Sequence, residues 1–223
     1  MHGISNKEEM CWATINIGET MVTEEELLKC FSLEYPEDMD YLSRSTPEEE
    51  PHDSEARDET IKYKGIRWVD VSTELLEECY DIPLLFNPRA FHYFFPAFIK
   101  QTQDAPERNE LLIDCLIGLL AEETIPDVES IQQTKKLLQK FEPEFKNEID
   151  EITDSLLTID NESLVKWIEE RFKLFNLSQW FLIKKWMQFV VLYESLCMDK
   201  ERIEAAEKNI DRWILRKKMD NEK

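Results

Sequence analysis

Glycine is scarce in this chain, with 4 among 223 residues, at positions 3, 18, 65 and 118. Tight β-hairpins draw on glycine for backbone with positive φ, so the shortage argues against a strand-rich fold. Histidine is scarcer still: His2, His52 and His92 are the whole set. The cysteines, at 11, 30, 79, 115 and 197, are odd in number and contain no Cys-x-x-Cys pair. That spacing fits reduced, buried thiols and not a disulfide framework or a zinc site. Glu49-x-x-His52 has the spacing of half a carboxylate-bridged di-iron site, but Pro51 interrupts it and no second copy follows. Pro126-Asp127 with Glu144-Phe145-Lys146 has the order of a metal-nuclease signature. That signature works from neighbouring strands, and both pieces here fall on helical patterns. A glycine-rich phosphate loop is also missing. The expectation is no metal and no cofactor.

Basic residues are in deficit too: 27 Lys and Arg stand against 48 Asp and Glu, a net charge of −21. Such a surface repels phosphate backbones and anionic headgroups, which argues against binding nucleic acid or a membrane. It attracts basic proteins instead. No apolar run approaches the ~20 residues of a membrane span, and the N-terminus lacks the basic flank and apolar core of a signal peptide. A cytoplasmic location is the expectation.

What is present is leucine, glutamate, lysine and aromatic side chains in helical rhythm. The expected fold class is mainly α, a bundle-like packing of about seven to nine helices. At most a short β element is expected, near 61–69, where Ile61, Tyr63, Ile66 and Trp68 bracket Gly65. Residues 1–22 read as a weakly structured extension with a short strand around Ile15 and Ile17, and Met21 is an alternative start to Met1. Residues 23–214 read as one helical domain and 215–223 as a tail.

Thr23 with Glu26 reads as a capping box opening a short helix that ends before Tyr35-Pro36. Residues 34–60 then carry a solvated acidic insertion: eleven acids lie between Glu34 and Glu59, with Arg44 and Arg57 the only bases. Within it Glu48, Glu49, Glu50, Asp53 and Glu55 are the candidate surface for a basic partner. Asp70 or Ser72 caps the next helix, and Ile82 to Phe86 reads as an extended connection because Pro83 disfavours helix at Ile82.

The densest stretch is Leu84–Ile99, with five phenylalanines and a tyrosine. Asn87-Pro88 opens a helix there, and Phe91, Phe94, Phe95, Phe98 and Ile99 fall on one face. Pro96 lacks the amide hydrogen for the His92 carbonyl, so a kink is expected. Each buried phenylalanine is worth about 1.5–3 kcal/mol, so this helix should be central. Six further helices follow. One opens near Pro106 and carries Leu111 to Leu120; one begins near Pro126 and turns Leu138 and Phe141 inward. Phe145, Ile149, Ile152 and Leu156 mark the next. Asn161 opens a helix reaching Phe175, Ser178 caps one carrying Trp180 and Trp186, and Asp199 starts the last.

Several pieces together are similar to a bacterial domain family of unknown function. They are Phe31 with Pro36; Trp68-x-Asp70; Asn87-Pro88-x-Ala90-Phe91-x-Tyr93-Phe94-x-Pro96-Ala97-Phe98; Leu177-Ser178-x-x-x-x-Ile183; and Ala205-Ala206 leading to Trp213. The resemblance would span residues 23–214. It implies an intact domain and supplies no activity, and the acidic insertion departs from it.

Candidate binding residues are Trp68, Asp70, Phe91, His92, Tyr93 and Pro96; no catalytic residue is assigned. Three functional classes remain open. The first is a non-enzymatic interaction module, of inhibitor or immunity type, for a basic partner. The second is an enzyme with paired carboxylates, such as Glu122 with Glu123 or Asp150 with Asp154, whose pKa values would be raised. The third is a structural subunit of a homo-oligomer.

Overall fold

The computed structural model describes residues 20–37, 39–45, 54–121, 128–156, 161–194 and 200–221. The expected strand around Ile15, the start at Met1 or Met21, and Glu48, Glu49, Glu50, Asp53, Glu122 and Glu123 lie outside the described residues or turn on them. The fold is all-α. β-pairing among the described residues is limited to one antiparallel bridge between Ser43 and Phe86.

The first helix, α1 (Glu24–Cys30), starts at the capping box read from the sequence. Glu26 N–H donates to Thr23 Oγ1 at 3.2 Å and Thr23 N–H to Glu26 Oε2 at 2.8 Å. The acidic insertion ends sooner than expected, because α2 (Ser54–Ile61) already forms within it and buries Ala56 and Thr60. The expected β element at 61–69 is absent. Gly65, at φ 77°, reverses the chain in a conformation that side chains with a Cβ resist, and Trp68–Asp70 make a 3-10 turn. Ser72 caps α3 (Thr73–Glu78), donated to by Leu75 N–H.

The connection expected to be extended is instead a short helix, α4 (Ile82–Leu85). Pro83 sits in its first turn, where an amide hydrogen has no partner to lose. Asn87 then caps α5 (Pro88–Asp104), accepting from Ala90 N–H at 2.9 Å, and the helix runs on through Pro96. Next come α6 (Glu110–Ala121), α7 (Val128–Phe141), α8 (Lys146–Leu156), α9 (Asn161–Phe172), α10 (Leu177–Glu194) and α11 (Lys200–Asn221). Asn176, not Ser178, opens α10: its Oδ1 accepts Gln179 N–H at 3.0 Å while Gln179 Oε1 accepts Asn176 N–H at 2.8 Å. Phe175 belongs to the turn before it. The expected tail 215–223 is helical as far as Asn221.

A contiguous apolar cluster runs from Val22 to Ile214 with α5 at its middle. Phe91, Phe94, Phe95 and Phe98 have no exposed surface. Phe86 stacks on Phe94 at 5.0 Å between centroids, Phe95 meets Phe175 edge-on at 5.0 Å, and Phe91 meets Phe172 at 5.7 Å. Helix α10 is apolar on nearly every side and buries Trp180, Ile183, Trp186, Met187 and Val190. Trp180 stacks on Trp213 of α11, and α11 also lies along α6. The two lysines of α10 pair outward, Lys184 with Asp211 and Lys185 with Glu26.

Helices α7 and α8 differ, because they pack chiefly on each other. Leu138, Phe141 and Phe145, expected to point inward, are 43%, 67% and 53% exposed. Leu111 on α6, Phe181 on α10 and Tyr193 on α10 are likewise open to solvent. Their helical spacing identifies an apolar stripe, but only a neighbour can bury it.

The contrast is testable with one residue type. Phe95→Ala should cost about 3–5 kcal/mol in urea unfolding. Phe141→Ala should stay within about 0.5 kcal/mol. Equal losses would contradict the separation of α7 and α8 from the core.

Candidate functional site

Six residues from the aromatic-proline region were candidates for a site, and the fold distributes them differently. Phe91 and Pro96 are enclosed in the core. Trp68 is fully buried and donates its indole N–H to Ser32 O at 2.9 Å. Tyr93 donates its hydroxyl to Leu33 O at 3.2 Å. Asp70 faces solvent in a two-contact ion pair with Arg67, at 2.6 and 3.1 Å. Only His92 and Tyr93 reach an opening, a shallow cleft of about 270 Å3 shared with Phe31, Ser32, Pro36, Arg89 and Leu174. Trp68 and Tyr93, with Gln179, chiefly hold the segment after α1 against α5.

The tautomer of His92 follows from its partner. Gln179 Nε2 donates to Cys30 O at 3.0 Å and its Oε1 accepts Asn176 N–H, which fixes which way the amide points. Its oxygen lies 3.1 Å from His92 Nε2, so that nitrogen carries the hydrogen and Nδ1 does not. The ring packs edge-on to Phe175 at 4.7 Å. Burial lowers the pKa below the ordinary histidine value of 6.5, with the Gln179 hydrogen bond opposing the shift.

A larger opening lies on the other side of the core, about 490 Å3 between α6 and α9. Tyr80 and Asp81 enter it from the turn before α4 and Leu84 from α4 itself. Leu111, Asp114, Cys115, Gly118 and Leu119 come from α6, Leu164, Trp167 and Ile168 from α9, and Arg202 from α11. Its floor is apolar, and its rim exposes Tyr80 by 49% and Leu111 by 61%. Arg202 donates to Asp114 Oδ1 at 2.6 Å, while the Asp81 carboxylate accepts the Cys79 thiol at 3.1 Å. Asp81, Asp114 and Arg202 therefore leave the lining one net negative charge.

Behind the cleft lies a buried cation. Arg171 has no exposed surface, and its guanidinium carbon sits 3.2 Å from the centroid of Trp167. It donates to Phe86 O at 2.6 Å and more weakly to Leu84 O at 3.4 Å, at the carbonyl end of α4. Burial pushes its pKa down to about 9, so it stays charged at neutral pH. Trp167 is thus braced from the core side with α4 and α9 locked together.

Burial pushes the Cys115 thiol up to about 12, so it is protonated and a poor nucleophile at neutral pH. Among the described residues, no group of three His, Cys, Asp or Glu is placed to hold a metal ion, and no helix is long and apolar enough to cross a membrane. Of the carboxylates considered for catalysis, Asp150 and Asp154 both pair with Lys135, at 2.8 and 3.0 Å. Lys135 holds Asp150 below the usual carboxylate range, opposite to the shift that a general acid needs. Glu55, from the acidic partner-facing set, is exposed in the first turn of α2.

Sequence reading missed Tyr80, Asp81, Asp114, Trp167 and Arg202 as a group. The signals available were Gly118 inside an otherwise apolar helix and Leu111 on the wrong face for a single core.

His92 gives a pH prediction. A lowered pKa means the unfolded chain takes up a proton first as pH falls below about 6.5. The stability contributed by neutral His92 is present above that pH and lost as pH falls through the folded pKa. Urea midpoints for the wild type should therefore drop between pH 7.5 and 5.5 by more than those of His92→Gln. Parallel profiles would remove His92 as the cause.

Compared with protein-family models, curated proteins and solved structures, the chain matches none of them.

Proposed function

We propose that this protein is a non-enzymatic interaction module that takes up a basic partner protein, as an inhibitor or immunity protein would. The observation that carries this reading is the apolar cleft of Tyr80, Leu111 and Trp167, open to solvent and edged by Asp81 and Asp114, in a chain of net charge −21. Exposed apolar side chains around a concave floor supply affinity once water is expelled. The excess of carboxylates supplies long-range attraction and selects positively charged partners. The protonated thiols at Cys79 and Cys115 and the ion-paired Asp150 favour binding over catalysis in the same molecule.

Capture from lysate on the immobilised chain, at low and at high salt, tests the reading. The expected result is a protein of basic isoelectric point, retained at low salt and released at high salt. Replacing Glu48, Glu49, Glu50, Asp53 and Glu55 by neutral amides should slow its association about tenfold and leave dissociation nearly unchanged. Retention only of neutral or acidic proteins, indifferent to salt, would overturn it.

A further inference from the structure

We infer that the cleft between α6 and α9 seats the apolar face of a basic amphipathic helix contributed by the partner. This rests on the reading of the chain as a binder of basic proteins and names what the cleft itself recognises. A sheet edge, the usual acceptor for an extended peptide strand, is missing among the described residues. The mode that an all-α surface supports is a helix laid in a groove, anchored by apolar side chains one turn apart. The cleft has the room: about 490 Å3 falls within the range that accepts ligands larger than a single side chain.

Its chemistry selects the occupant. Tyr80 and Leu111 stand exposed at the rim, and Leu84, Leu164 and Trp167 form the floor. Gly118 contributes no side chain from the middle of α6, where any other residue would narrow the space. Asp114 is neutralised by Arg202, so the charge that remains is that of Asp81, whose thiol partner Cys79 cannot cancel it. An apolar anchor flanked by lysine or arginine satisfies both the floor and this carboxylate. Arg171 holds Trp167 from behind, which keeps the floor preformed.

The probe is a labelled peptide of leucine and lysine with leucines at i, i+3, i+4 and i+7, followed by fluorescence anisotropy. A scrambled peptide of identical composition is its control. The full-length protein should bind the amphipathic peptide at least tenfold more tightly than the scrambled one. Gly118→Leu fills the floor without altering charge and should weaken binding about tenfold, leaving the salt dependence unchanged. Gly118→Ala, a much smaller intrusion, should weaken it far less. Should Gly118→Leu disturb folding by circular dichroism, the double variant Tyr80→Ser with Leu111→Ser carries the test, because both residues are exposed. Asp81→Asn should lessen the salt dependence.

Amphipathic binding that neither variant weakens would overturn the cleft as the seat, while the basic-partner reading stands. Equal affinity for both peptides would reduce recognition to charge alone and also overturn it. Binding of neither peptide would overturn this inference, and the salt-resolved capture would then decide the broader reading separately.

Discussion

Burial of the phenylalanine face of α5 is the constraint on which the rest of the structure depends. Phe91, Phe94, Phe95 and Phe98 lie on a single helix, and none can be covered by its own neighbours in sequence. Covering them requires Phe86 and Tyr63 from one side and Phe172 and Phe175 from the other, with Trp180 packed against Phe175. Those partners span more than a hundred residues, so the order of the helices in space follows from filling this one surface. At about 1.5–3 kcal/mol for each phenylalanine, the gross gain is comparable to the net stability of a whole domain.

Packing alone would leave polar groups stranded, and the side chains near α5 resolve much of that. Gln101 donates to Val71 O and accepts from Thr73, Asn109 donates to Gln101 O and Ala105 O, and Trp186 donates to Thr102. Arg171 does the same for the carbonyl end of α4. A buried guanidinium of this kind is costly, and hydrogen bonds to main-chain oxygens with an aromatic face at 3.2 Å are what compensate it. The consequence reaches the surface, because the brace that satisfies α4 also positions the floor of the larger cleft.

The openings at His92 and at Trp167 differ in chemical character. The one at His92 and Tyr93 is a by-product of tethering the segment after α1, with most of its polar atoms already satisfied. The one at Trp167 exposes apolar surface and keeps the Asp81 carboxylate, which pairs with no base among the described residues. In a chain of net charge −21, that combination is the ground for proposing a cationic, partly apolar partner. Leu137, Leu138 and Phe141 on α7 and Phe145 in the turn before α8 are further exposed apolar side chains, set apart from the core.

Local chemistry was legible in the sequence wherever the determining partner lay within one helical turn. Thr23 with Glu26, Asn87 with Pro88, and the spacing of Phe91, Phe94, Phe95 and Phe98 each specify their own structure. The scarcity of glycine correctly pointed away from strands. Failures came where the neighbour was distant or absent. Ile82–Leu85 forms a helix whose carbonyl end meets Arg171 from far along the chain, and Leu137, Leu138 and Phe141 of α7 stayed open because, among the described residues, nothing large packs on them. The cleft joins Tyr80, Asp114, Trp167 and Arg202, which no sequence period relates. The sequence by itself determined an acidic chain of helices with one aromatic face that had to be buried, because charge, capping and periodicity are local. Only the tertiary structure decided which apolar faces are covered and where an apolar cleft remains open, because burial belongs to pairs of elements and never to one alone.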